Sequence, residues 1–98
     1  MAKIIWTSEA ERWLSIIYDH IAEDSPTAAA KVINGIYEKA QILLEQPKIG
    51  YIYEHEEEEI RILLYGHYRI TYLASSNNDI TILGVFHGAL LIENYIVK

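Results

Sequence analysis

The spacing of apolar residues changes period part-way along the chain. Ala10, Trp13, Leu14, Ile17, Tyr18 and Ile21 recur at intervals of three and four, which predicts one amphipathic helix. Ahead of it, "KIIW" at 3–6 reads as a short first strand. Thr7 or Ser8 caps the helix, and Ser8 with Glu11 fits a reciprocal capping box. "EDSPTAA" breaks the pattern and restarts it, with Ser25 as cap and Pro26 in the first turn, where its missing N–H costs nothing. A second helix from Pro26 to Glu45 carries Ala29, Val32, Ile33, Ile36, Ala40, Leu43 and Leu44 on one stripe. Gly35 interrupts it, and close packing on the first helix is the expected reason. So short a turn between the two predicts an antiparallel helical hairpin.

After "QPKIGY" the period falls to two. Ile60–Leu64, His67–Ala74 and Ile80–His87 read as strands, separated by "YG" and "SSNND", both turn-forming. Short links imply an antiparallel meander with one face on the helices. The expected fold is therefore α+β, a single domain over 1–98 with the order β-α-α-β-β-β: an N-terminal strand, then an antiparallel two-helix hairpin packed on an antiparallel sheet. Alternation puts Tyr68, Ile70, Tyr72 and Ala74 on one side of their strand, and His67, Arg69 and Thr71 on the other. If Ile60, Ile62 and Leu64 are the buried set of the strand before, Arg61 and Arg69 share an open face with Leu63, Tyr65 and Phe86. That arrangement needs an odd or bulged turn at Gly66, because a plain two-residue hairpin would separate the arginines.

Composition narrows the chemistry. The 98 residues are enough for one core, and 51% hydrophobic content excludes an acidic disordered tail. No apolar run approaches a membrane span, and the acidic "TSEAE" is unlike a signal peptide, so a cytoplasmic setting is expected. Without cysteine there are no disulfides, thiolate nucleophiles or zinc–thiolate sites. Eight Lys and Arg against fourteen Asp and Glu give a net charge of -6, the wrong sign for general nucleic-acid binding. Much of that excess is "EHEEEE" at 54–59, expected to be a solvated loop. The four histidines lack ligand spacing, so neither a metal nor a cofactor is expected. Of the eight tyrosines, Tyr18, Tyr37, Tyr68 and Tyr72 fall on core faces, leaving Tyr51, Tyr53, Tyr65 and Tyr95 for surface contacts.

Several stretches in order, "WTSEAERWLSIIYDHIAEDSPTAAAKVINGI", "P..G", "R.LLYGHYRITY" and "ITILGVFHG", resemble the RelE/ParE toxin superfamily of type II toxin–antitoxin systems, its ParE-like, plasmid-stabilisation branch above all. The resemblance implies a helical hairpin on a sheet joined by the first strand. It implies one of two activities: ribosome-dependent cleavage of messenger RNA, as in RelE-like members, or poisoning of DNA gyrase, as in ParE-like ones. Arg69 in "HYRI" matches the arginine that ribonuclease members set against the scissile phosphate, where a guanidinium stabilises developing charge. The rest of that set is incomplete. Ile60 and Ile62 flank Arg61 where such enzymes have lysines, Gly84 stands at an often basic position, and "ALLIENYIVK" replaces a basic end. The resemblance therefore favours a protein-binding toxin over an enzyme, with a non-toxic binding member of the family as a further alternative.

Arg69 and His87 are the catalytic candidates. The plainer readings come first for both: Arg69 as a solvated residue or the partner of Asp79 or the acidic loop, and His87 as a strand-end residue bonded to backbone. Arg61 reads as positional, paired with a partner's carboxylate. Leu63, Tyr65, Phe86, Leu90, Leu91 and Tyr95 join both arginines as the expected surface for target or antitoxin. So much apolar surface calls for a cover: a cognate antitoxin or, without one, a second copy of the chain, the alternative being that the tail folds back on its own core as a fifth strand or short helix.

Overall fold

The computed structural model describes residues 2–55 and 59–87. Strand β1 (Ile4–Trp6) leads into helix α1 (Ser8–Ala22), and α2 (Pro26–Ala40) follows. The chain then tightens into a 3-10 turn over Gln41–Leu44, so the second helix is four or five residues shorter as an α-helix than the apolar stripe predicts. Strands β2 (Tyr51–His55), β3 (Glu59–Tyr65), β4 (Tyr68–Ala74) and β5 (Ile80–His87) complete a five-stranded sheet of order β1-β5-β4-β3-β2. The architecture is the expected helical hairpin on a sheet, with two differences. β1 pairs with β5 in parallel, so the sheet is mixed, and β2 is an additional strand. The parallel pair is fixed at α1, where Thr7 is the cap instead of a Ser8–Glu11 box. Its hydroxyl accepts from Ala10 N at 3.1 Å and donates to Ile82 O at 2.7 Å, tying the helix start to β5. Ser25 caps α2 as expected, accepting from Ala28 N.

β2 covers part of the stretch expected to be loop. Tyr51 and Ile52 leave 47% and 49% of their surface exposed, so this strand is held by backbone pairing to β3 more than by side-chain burial. A bulge between Ile52 and Glu54 disrupts its alternation further, and a period-two signal is lost.

The hairpin between β3 and β4 decides the faces. Tyr65 pairs with Tyr68 and Leu64 with Arg69, leaving Gly66 and His67 as a two-residue turn. Gly66 has φ +59° at the first turn position, which glycine adopts without strain. With this register Arg61 pairs with Tyr72 and Leu63 with Ile70, facing the helices, while Arg69 points to the opposite face. The expected common face of Arg61 and Arg69 is thereby corrected: no extra residue sits in the turn to restore it. Leu63 belongs to the core, only 6% exposed among Leu14, Ile17, Ile36, Ile70, Ile82 and Val85. Ile62, on the far side, is buried as well, in a second cluster with Trp13 and Phe86.

Gly35 is explained by β3 and not by α1. A Cβ there would lie 1.9 Å from the Tyr65 hydroxyl oxygen, so the glycine makes room for the hydroxyl end of the Tyr65 ring against α2. Tyr65 is accordingly half-buried between strand and helix, not open surface.

Candidate functional site

Two surfaces carry the expected chemistry, and the sheet separates them. On the helix side, α1 from Trp13 to His20, the start of β4 and the end of β5 line a groove of about 380 Å³. Trp13, Ile16, Ile17 and His20 line it from the helix, and Tyr68, Val85 and His87 from the strands. The Trp13 indole is held in place because its Nε1 donates to Glu9 Oε2 at 3.1 Å, and Glu9 in turn is gripped by Arg12. That ion pair lowers the Glu9 carboxyl below its ordinary pKa, mainly through the Arg12 hydrogen bond. His87 stacks on His67 with ring centres 6.0 Å apart and meets the Tyr68 ring edge-on at 5.5 Å. His87 is thus the end of an aromatic row at the turn end of the sheet.

Arg69 occupies the other side, between Leu64 on β3 and Phe86 on β5. Leu64 is 51% exposed, whereas Phe86 is 2% exposed, with its ring folded over Gly84. Phe86 is therefore packing and not free contact surface, because Gly84 leaves room beneath it and Trp13 approaches edge-on at 5.2 Å. Among the described residues Arg69 forms no hydrogen bond or ion pair. Asp79, one of its expected partners, is at the far end of β4 and β5, occupied by Lys3 N and Asn77. The two catalytic candidates do not converge: Arg69 pairs across with Phe86, while its neighbour Tyr68 pairs with His87, so they leave opposite faces.

Arg61 has a different task from the one expected. Its Nε donates to Glu59 Oε2 at 2.6 Å, and its Nη1 donates to Lys48 O at 3.0 Å and Gly50 O at 2.6 Å. Tyr72 completes the lock: its hydroxyl donates to Pro47 O at 2.9 Å and accepts from Gly50 N at 3.0 Å. A Cβ on Gly50 would lie 2.7 Å from Ile62 O, so the loop seats on β3 only with glycine there. The "P..G" segment, the arginine of "R.LLYG" and the last tyrosine of "YRITY" are thus one structural clamp. Sequence reasoning saw each and missed their union, because they lie 11 to 25 residues apart.

Of the other expected contacts, Tyr51 is exposed and Tyr53 packs against the cluster of Trp13, Ile62 and Phe86. Tyr18 and Tyr37, expected in the core, each keep more than a third of their surface exposed, with Tyr37 set against Trp6 at 4.5 Å. Leu90, Leu91 and Tyr95, and the acids at 56–58, fall outside the described residues. Among the described residues no group of three or more metal-binding side chains is clustered, and no helix is long and apolar enough to cross a membrane.

Comparison with known proteins bears directly on this fold. The family described as the ParE toxin of the type II toxin–antitoxin system parDE matches residues 4–91. The chain belongs to that ParE toxin family. It is a toxin-type member of the RelE/ParE superfamily, and the match takes in β1 to β5 with both helices. Among solved structures it is similar to the chromosomal ParDE toxin–antitoxin system from P. aeruginosa, at 24% identity and a TM-score of 0.73, over 89% of this chain and 96% of that one. It is similar too to the toxin–antitoxin complex RelBE2 from Mycobacterium tuberculosis, at 21% identity and a TM-score of 0.57, over 88% of this chain and 96% of that one. At these identities the shared feature is the ParE/RelE fold. No curated protein matches the chain.

Proposed function

We propose that this ParE-family chain is a toxin that acts by binding a protein target, DNA gyrase, and is held inactive by a cognate antitoxin. The observation that carries the reading is the division of Arg69 and His87 between opposite faces of the sheet. Phosphoryl transfer needs the group that stabilises the phosphate and the group that moves the proton within reach of one reacting centre. The net charge of -6 weighs the same way, since docking into ribosomal RNA requires a basic surface. The complexes formed by its structural relatives support a protein partner.

The test is induced expression with and without the product of the adjoining reading frame. The expected result is growth arrest, accumulation of gyrase-linked broken DNA, and relief of both when the neighbour is co-expressed and co-purifies. Arrest accompanied by cleaved messenger RNA at intact gyrase would transfer the chain to the ribonuclease reading. No arrest at all would make it a binding member without toxicity.

A further inference from the structure

The chain has three arginines, and two have their counter-charge: Arg12 is paired with Glu9, and Arg61 with Glu59. Arg69 has none among the described residues, although fourteen acids are available in the chain. It is also only partly exposed, so water does not fully solvate it. Apart from Arg69, the outward positions of β3, β4 and β5 are filled by Ile, Leu, Thr, Gly and Phe. A guanidinium on apolar ground loses hydration without regaining it from an ion pair, and a bidentate carboxylate is the partner that restores it.

We infer that Arg69 is the docking point for a single Asp or Glu carboxylate of the antitoxin, with the residue beside that acid resting on exposed Leu64. The inference rests on the toxin–antitoxin reading and names the contact within it. A protein carboxylate fits better than an RNA phosphate. A single guanidinium beside exposed Leu64 matches one acid with an apolar neighbour, whereas a nucleic-acid backbone needs several cations in a row. Arg61 takes no part, because its guanidinium is committed to Glu59 and to the carbonyls of Lys48 and Gly50.

The test exposes the folded full-length protein to a display library of short random peptides with blocked ends. The enriched peptides should share an Asp or Glu next to Leu, Ile, Val, Met or Phe. Their Kd should rise about tenfold or more on Arg69→Gln, a loss typical of a buried charge contact. Replacing the peptide's acid by its amide should give the same loss, and the two changes together should cost no more than either alone. The Arg69→Gln protein should melt no lower than wild type, which separates lost contact from lost fold. Selection of peptides without an acid, selection of none above background, or unchanged binding to Arg69→Gln would overturn the inference. Arg69-dependent binding of a short single-stranded RNA in place of acidic peptides would overturn it in favour of a phosphate. Growth arrest and its relief by the neighbouring gene product do not pass through this assay, so the toxin reading can stand while the Arg69 contact fails.

Discussion

Tyr72 shows how much one hydroxyl decides. Buried completely, it joins the 46–50 loop to β4 through Pro47 O and Gly50 N. Tyr72→Phe leaves the Gly50 N–H without its acceptor and should destabilise the protein by about 1–3 kcal/mol in urea unfolding. Burial raises the Tyr72 pKa above the ordinary phenol value, with the Gly50 hydrogen bond and Arg61 opposing. Because the folded pKa is the higher one, this contribution is intact below the unfolded value of about 10 and is lost as pH rises through the folded pKa. Wild type should therefore lose stability more steeply than Tyr72→Phe above about pH 10, and parallel curves would contradict this. Thr71 is the opposite case, a buried hydroxyl with no partner. Thr71→Val keeps the shape and removes the unsatisfied group, so it should add about 1 kcal/mol to the isolated protein.

At the scale of elements, α2 and β3 meet through Gly35 and Tyr65, with no room for a methyl group between them. Gly35→Ala gains about 1 kcal/mol of helix propensity, but in wild type that gain is opposed by displacement of the Tyr65 ring. In a Tyr65→Ala background the obstruction is absent and the full gain should appear. A double-mutant cycle should thus show a coupling of about 1 kcal/mol or more. Additive effects would mean that the tyrosine swings aside freely. The hairpin at Gly66 and His67 works at the same scale. Its two-residue length, not the hydrophobicity of β3, sends Leu63 inward and Leu64 out.

For the whole molecule, charge and topology act together. The sheet holds Arg69 and His87 back to back, and the net charge of -6 repels the phosphates that a ribosome-bound enzyme must approach. Induced expression should therefore leave messenger RNA without codon-periodic cuts in primer extension. Such cuts, lost on Arg69→Ala, would mean that the ribosome assembles a site which the isolated chain does not contain.

Much of this molecule was written locally. Three-and-four spacing from Ala10 to Ile21 and from Ala29 to Leu43, a cap at Ser25 with Pro26 behind it, and the alternation of Tyr68, Ile70 and Tyr72 are each set by neighbours a few residues away. They were legible for that reason, and the resemblance to a toxin superfamily rested on their order. β2 was not legible, because an edge strand bound through its backbone has no periodic side-chain signal and its bulge removes what remains. The faces of β3 were not legible either: Ile60, Ile62 and Leu64 are as apolar as a core set should be, and only the turn's register overrules them. The roles of the two arginines followed from that parity. Arg61 was turned toward carbonyls of a loop 11 to 13 residues away, and Arg69 toward a face where no acid of its own chain meets it among the described residues. Local pattern determined which elements form. Long-range pairing decided which side each residue faces, and with it which of the two arginines is free to meet a partner.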